Sequence, residues 1–237
     1  MAELTATYRT RRVLPPSRVE SAAFILFVLG ALSALGFAQA GASSNAHSVG
    51  DREPPLSKGS NQFGFWGGYS PKSFVFEGQT QDRKLFLLTL QYARVLLATH
   101  PVTLKYTVEL VPAALENQPR DLFVSKSKLK VDSPGVAYGA GFTPLGFQFN
   151  FGRRRVQPFL NGSGGLLYFS RQLPVPQSSQ LNFTYSAGIG AEIFVRPGRS
   201  VTVGWKYHHL SNANTGTFNP GIDSGLFYAG FSWVRRK

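Results

Sequence analysis

Three side chains near the C-terminal end of the chain have the types and the spacing of a hydrolytic site: His209, Ser211 and Asp223. In an extended strand, residues i and i+2 point to the same side, so His209 and Ser211 share one face. Asp223 follows the turn signal Asn219-Pro220-Gly221, and a hairpin there would place its carboxylate beside the other two side chains. A serine that is activated by a histidine, itself oriented by a carboxylate, is a nucleophile for acyl transfer. The spacing therefore predicts that Ser211 attacks a carbonyl carbon.

The elements that must position these residues are strands, because apolar and polar residues alternate with period two after residue 60. In Val102–Leu110 the even positions are apolar and the odd positions are polar or charged, and Leu181–Val195 shows the same alternation with the opposite parity. The pattern predicts an all-β fold with eight strands, at about 62–70, 84–97, 102–112, 135–151, 155–169, 181–195, 199–211 and 223–235. In the fourth strand the parity switches near Pro144-Leu145, which predicts a bulge.

The links between these strands alternate in length. Those at 99–101, 152–154 and 196–198 are tight, whereas the links at about 71–83, 113–134, 170–180 and 212–222 are long and polar. Short turns at one end, long loops at the other and an even strand number are typical of bacterial outer-membrane barrels. The sequence thus predicts an eight-stranded antiparallel transmembrane β-barrel over residues 61–237, with its polar faces forming an ion-pair network inside. A secreted lipocalin-like barrel, with the apolar faces inside, is an alternative that alternation alone allows.

The N-terminal region has the pattern of an export signal. Arginines in residues 1–20 precede the apolar run Ala22–Phe37, and Ala38-Gln39-Ala40 supplies a cleavage site, so residues 1–40 are predicted to be a signal peptide. A single membrane anchor is the alternative, but it needs about 20 apolar residues and this run is shorter. Residues 41–60 are predicted to form a flexible periplasmic segment.

Composition limits the classes of partner. The formal net charge is +13, and it is +11 after removal of residues 1–40. The cationic residues are spread over turns and loops, which disfavours nucleic acid as a partner, whereas the phosphorylated glycolipid of the outer membrane is an available polyanion outside a bacterial cell. The chain has no Cys, and its four His form no cluster with carboxylates, so neither a disulfide nor a metal or other cofactor is predicted.

The site residues carry a family resemblance. The run His209-Leu210-Ser211-Asn212-Ala213, followed by Asn219-Pro220-Gly221-Ile222-Asp223, resembles the signature of the lipid A 3-O-deacylase (PagL-type) family. The resemblance implies an outer-membrane esterase that removes the 3-O-linked hydroxyacyl chain from lipid A. It also implies that His209 is the base, Ser211 the nucleophile and Asp223 the acidic member, with Asn212 and the following amide, that of Ala213, near the oxyanion. Asp223 stands where the family typically has Glu, so the hairpin must bring the backbone closer to His209.

By strand parity the site lies on the lipid-facing surface, at the long-loop end, and should meet the outer leaflet. His208 faces the interior by the same parity and is predicted to be structural, while Trp205, Tyr207, Tyr228 and Trp233 are predicted to form interfacial belts.

Two other functions stay open. The first is a non-enzymatic small barrel with a structural or adhesion role, and the second is an esterase that acts on another lipid. The predicted partners are lipid A or lipopolysaccharide as substrate and the outer membrane, with no nucleic acid; a homodimer is left open.

Overall fold

The structure is a computed structural model, and it describes residues 56–124, 127–130 and 134–235. The predicted signal peptide at 1–40 and residues 41–55 of the predicted periplasmic segment lie outside the described residues. The described strands are β1 (Asn61–Ser70), β2 (Ser73–Phe74), β3 (Thr80–Gln81), β4 (Lys84–Ala98), β5 (Val102–Gln118), β6 (Asp121–Val124), β7 (Ser127–Lys130), β8 (Gly135–Phe151), β9 (Val156–Leu173), β10 (Ser179–Arg196), β11 (Arg199–Ser211) and β12 (Ile222–Arg235). No helix that could cross a membrane occurs among the residues described.

Eight long strands form a closed antiparallel barrel in the order β1-β4-β5-β8-β9-β10-β11-β12. The last strand pairs with the first, from Asn61 opposite Arg235 to Tyr69 opposite Phe227, so the sheet has no free edge between them. All eight predicted strands are confirmed. The register shift between Phe142 and Leu145 confirms the bulge that was predicted in the fourth of them.

Two barrel strands run well past their predicted C-terminal ends, at 112 and 169. β5 continues to Gln118 and β9 to Leu173, which shortens the links that follow them. Pro112 lies inside β5 because the register with β8 shifts between Val111 and Ala114, and a bulge tolerates a residue without an N–H group.

The long link between β1 and β4 folds back against the start of β12. We call residues 73–81 the strap. Its β2 pairs with β12 through Phe74 and Asp223, and its β3 lies beside Ile222 through Thr80. The strap therefore adds a second neighbour to the first residues of β12, beyond the point where pairing with β1 ends.

The barrel interior is polar, as predicted. Glu192 is fully buried and accepts hydrogen bonds from Lys105 Nζ at 2.8 Å and Asn150 Nδ2 at 2.6 Å. Trp66 Nε1 donates to Glu109 at 3.1 Å, and Lys206 Nζ lies 4.1 Å from the centre of the Trp66 ring. Large apolar side chains are exposed on the outer face, so the lipocalin-like alternative is wrong.

One belt prediction is also wrong. Tyr228 points inward and is buried, with its ring 4.6 Å from Lys206 Nζ. It has the opposite strand parity to the outward-facing Phe227 and Trp233, so it cannot reach the membrane interface.

Residues 56–60 are the described part of the predicted periplasmic segment. Gly59 N donates to Val95 O at 2.9 Å, and Leu56 is buried against Val95 and Phe194. These residues are therefore held at the tight-turn end of the barrel.

Candidate active site

The geometry of the site begins with one cross-strand pair. His209 in β11 lies directly opposite Asp223 in β12, and His209 Nδ1 is 2.6 Å from Asp223 Oδ1. Opposite residues of antiparallel strands have Cβ atoms about 4.5–5.5 Å apart, so an aspartate is long enough to reach the imidazole. Direct pairing thus supplies the close backbone approach that the shorter acid requires.

Asp223 is completely buried, and five donors surround its carboxylate. Tyr207 Oη donates to Oδ1 at 2.7 Å. On the other oxygen, Oδ2 accepts three consecutive backbone N–H groups of the strap, from Phe76 at 2.9 Å and from Glu77 and Gly78 at 2.7 Å each. An ionised carboxylate only accepts hydrogen bonds, so a complete set of donors suits its charged form. The same charge keeps the hydrogen of the imidazole on Nδ1.

His209 is held on a second side by an aromatic contact. Its ring packs on Tyr185 with the ring centres 4.9 Å apart, and Tyr185 Oη donates to Glu77 of the strap. Gly221 also lies close to the imidazole: it has a φ of +62°, and a Cβ there would be 3.0 Å from Cε1 of His209. Within the described ranges no hydrogen bond engages Nε2, so the nitrogen that a general base needs is available.

Ser211 ends β11, two residues after His209 and on the same face, and it is half-buried. In the described part of the chain no hydrogen bond joins Ser211 Oγ to His209. Bonds between a nucleophile and its base are often long until substrate binds. The structure therefore brings His209 and Asp223 into contact and places Ser211 next along the same strand face.

Asn212 is fully buried and organises the loop after β11. Its Nδ2 donates to Phe218 O at 2.8 Å, and its backbone N donates to Asn219 Oδ1 at 3.0 Å. Ala213 and Asn214 follow with positive φ angles of 48° and 62°. Two donors still have no partner among the described residues: the second hydrogen of the Asn212 amide group and the N–H of Ala213.

Sequence reasoning missed two parts of the site. Tyr207 was predicted only as a belt residue, although its parity places it on the face of His209. The strap amides of residues 76–78 have no residue signature, since every residue except proline carries a backbone N–H.

His208 lies on the other side of the sheet, as its parity predicts. It is buried and lines a small interior cavity with Lys206 and Glu109. Among the described residues no group of three or more His, Cys, Asp or Glu side chains could hold a metal ion.

Comparisons with known proteins agree with this fold. A family model described as lipid A 3-O-deacylase (PagL) matches residues 102–232, a range that contains the three candidate catalytic residues. No curated protein sequence gives a significant match. The crystal structure of the outer membrane enzyme PagL matches with a TM-score of 0.50 and 20% identity, over 72% of this chain and 97% of that chain.

Two further solved structures are outer-membrane or surface proteins. Neisserial surface protein A (NspA) matches with a TM-score of 0.46 and 15% identity, over 74% of this chain and 99% of that chain. OprG from Pseudomonas aeruginosa matches with a TM-score of 0.49 and 11% identity, over 78% of this chain and 100% of that chain. The likeness to the PagL crystal structure, together with the family match, confirms the outer-membrane barrel and its location in the bacterial outer membrane.

Proposed function

Because this chain belongs to the lipid A 3-O-deacylase (PagL) family, we propose that it hydrolyses the 3-O-linked hydroxyacyl ester of lipid A. The observation that carries the proposal is the pair of His209 and Asp223. The carboxylate is saturated with donors, the imidazole is fixed through Nδ1, and Nε2 has no partner among the described residues.

In the proposed mechanism Ser211 Oγ attacks the ester carbonyl carbon while His209 Nε2 takes the hydroxyl proton. Asp223 stabilises the imidazolium that forms. The tetrahedral intermediate then collapses, the sugar 3-oxygen leaves with the proton from His209, and the acyl group stays on Ser211. Water, deprotonated by His209, attacks the acyl-enzyme, which releases the hydroxy fatty acid and restores Ser211.

The oxyanion of each tetrahedral intermediate needs hydrogen-bond donors. We assign this role to the two unpartnered donors of the loop after β11, the Ala213 N–H and the remaining amide hydrogen of Asn212. The backbone N–H of Asn212 is excluded because it is committed to Asn219 Oδ1.

The location of the site supports a lipid substrate. His209 and Ser211 lie on the outer face of a membrane barrel, and exposed aromatic side chains of the strap, Phe74 and Phe76, stand beside Tyr207. An acyl chain can therefore approach without leaving an apolar environment. The site is at the long-loop end, which in such barrels is extracellular, so we place it toward the outer leaflet, where lipid A resides.

The pair of His209 and Asp223 also bears on two other functions. A barrel with a purely structural or adhesion role has no need of a histidine fixed by a five-donor carboxylate, so the pair favours an enzyme. An esterase acting on another lipid would use the same residues, and only a substrate assay separates the two. None of the contacts or comparisons above supports a homodimer, so the proposal concerns a single chain.

The test is mass spectrometry of lipid A and phospholipids from cells that express the wild-type chain, the Ser211→Ala variant or neither. We expect loss of one hydroxyacyl group from lipid A with the wild-type chain alone. Unchanged lipid A rejects the proposal, and fatty acid released from phospholipid instead would favour the other esterase.

A further inference from the structure

Three rows of side chains cross the outer face of β4, β1 and β12 at the tight-turn end. Residues directly opposite each other in antiparallel strands share a face, so the members of a row are neighbours. The rows are Leu90, Phe65 and Phe231; then Tyr92, Phe63 and Trp233; then Arg94, Asn61 and Arg235. Toward the turns, these three rows thus change from apolar to aromatic to cationic, and on β4 the exposed Leu96 and Leu97 follow Arg94. We call the last row the arginine row.

The aromatic row marks the membrane interface. Its rings pack against one another and on the apolar row, with Phe63 5.2 Å from Tyr92 and Phe231 4.8 Å from Trp233 between ring centres. Tyr and Trp are enriched at the depth of lipid headgroups. The arginine row is two residues further along each strand, about 6.7 Å, which for a tilted strand is roughly 5 Å along the membrane normal. That depth is the depth of lipid phosphates.

The arginine row has no carboxylate to pair with in the described part of the chain. The described acidic residues lie at the long-loop end, in the strap or inside the barrel: Glu77, Asp82, Glu109, Glu116, Asp121, Glu192 and Asp223. Cations at the long-loop end do find partners there, as in Lys72 with Asp82 at 3.1 Å and Lys128 with Asp121 at 2.9 Å. An exposed cationic row at phosphate depth is thus left for a ligand outside the chain.

The spacing of the row fits one phosphate group. Arg94 and Arg235 flank Asn61 on neighbouring strands, so their backbones are about 10 Å apart and their long side chains can converge. Asn61 Oδ1 accepts a hydrogen bond from Tyr92 Oη at 2.8 Å, which leaves its amide hydrogens as donors. Arg199, exposed and opposite Trp233, adds a third cation beside the row.

We propose that the arginine row and Arg199 bind the phosphate of an anionic glycerophospholipid in the leaflet at the tight-turn end. Guanidinium groups bind phosphate oxygens through paired, charge-assisted hydrogen bonds. The acyl chains of the bound lipid lie along the exposed Phe63 and Phe65. This site is at the opposite end of the barrel from His209, and the proposal does not depend on the esterase activity.

The experiment is native mass spectrometry of the folded barrel, released from micelles that contain equal amounts of phosphatidylglycerol and phosphatidylcholine. We expect the wild-type chain to retain phosphatidylglycerol in preference to phosphatidylcholine. Each arginine near an anionic lipid contributes about fivefold in affinity, so Arg94→Gln with Arg235→Gln should reduce the preference on the order of 25-fold. Arg94→Gln alone should reduce it about fivefold, and it serves as the second variant if the double variant does not fold.

The matched control is Lys72→Gln with Lys128→Gln, which removes the same charge from the long-loop end. It should keep the wild-type preference, and millimolar inorganic phosphate should not displace the lipid. The proposal is overturned if the wild-type chain shows no preference, if the control loses as much as the double arginine variant, or if the arginine variants bind like the wild type.

Discussion

Two carboxylates, Glu192 inside the barrel and Asp223 on its outer face, are both completely buried, and each accepts at least four hydrogen bonds. Glu192 accepts from Lys105, Asn150, Ser200 and Gln62, all through side chains. Asp223 accepts from two side chains and three backbone amides. Both are 0% exposed. Burial and a full set of hydrogen bonds therefore do not distinguish the carboxylate inside the barrel from the carboxylate of the proposed site.

The difference lies in the partner. Lys105 Nζ donates to Glu192 and to Gln62, and both partners lie in the barrel interior. His209 contacts Asp223 through Nδ1, its Nε2 has no partner among the described residues, and it lies on the outer face of the barrel. A carboxylate becomes useful for chemistry when its partner can pass a proton onward to something outside the fold.

The largest expected effect comes from the nucleophile. Ser211→Ala should lower the rate of lipid A deacylation by a factor on the order of 10⁶, the loss seen when a serine nucleophile is removed from a complete triad. The barrel should fold normally because the change removes one hydroxyl group at a strand end. Kinetics on purified lipid A and heat-modifiability on gels check both parts, and activity near that of the wild type would remove Ser211 from the mechanism.

Variants of the two adjacent histidines test which face of the sheet carries the base. His209→Asn should be nearly as damaging as loss of the serine, because His209 is the base that the proposed mechanism uses to activate Ser211. His208→Asn is the matched control and should leave deacylation within a few fold of the wild type. The opposite pattern would mean that the base acts from the interior.

Asp223→Asn should keep the fold and lower the rate by about 10⁴, since an amide favours the wrong imidazole tautomer and cannot stabilise the imidazolium. Asp223→Glu is the finer probe. Five donors already fit the shorter acid, so the added methylene should displace the carboxylate and reduce the rate by a smaller factor. A glutamate variant that equals or exceeds the wild type would show that the donors do not fix the length of the acid.

Tyr207→Phe removes one of the five donors to Asp223 and should lower kcat roughly tenfold, with little change in KM, because a hydrogen bond to a charged group contributes about 1.5–3 kcal/mol. Tyr185→Phe is a useful comparison because Tyr185 packs on His209 without donating to Asp223. If Tyr207→Phe raised KM and spared kcat, Tyr207 would be a substrate contact rather than a positioning residue.

Glu192→Gln should have the smallest effect on the rate and a large one on stability. It leaves the Lys105 ammonium buried without a countercharge, which costs about 3–5 kcal/mol in other proteins. Urea unfolding in detergent measures the stability, and deacylation measured below the unfolding transition should stay near wild type. A loss of activity in the folded variant would contradict the separation of the two carboxylates.

Much of the barrel could be predicted from the sequence, because lipid outside and polar groups inside impose alternation on every strand. The same parity placed Lys105 and Glu192 inside and His209 with Ser211 outside. The continuation of β5 beyond Pro112 was not predicted, since a proline indicates the end of a strand unless it lies at a bulge.

The candidate site was only partly predictable. His209, Ser211 and Asp223 could be found because chemistry requires those residue types. The strap could not be predicted, because it holds Asp223 through three backbone amides, and no residue type indicates such a contact. The direct pairing that makes an aspartate long enough depends on the hairpin register, which the residues of the turn do not fix by themselves.

The amides that hold Asp223 come from residues about 145 positions earlier in the chain. The strap follows the first barrel strand and Asp223 is the second residue of the last, and those two strands pair with each other to close the barrel. The acid of the proposed site is consequently fixed only when the first and last barrel strands pair. A barrel whose first and last strands have not yet paired would therefore lack the amides that hold this acid, and the proposed hydrolysis would begin only after the barrel closes.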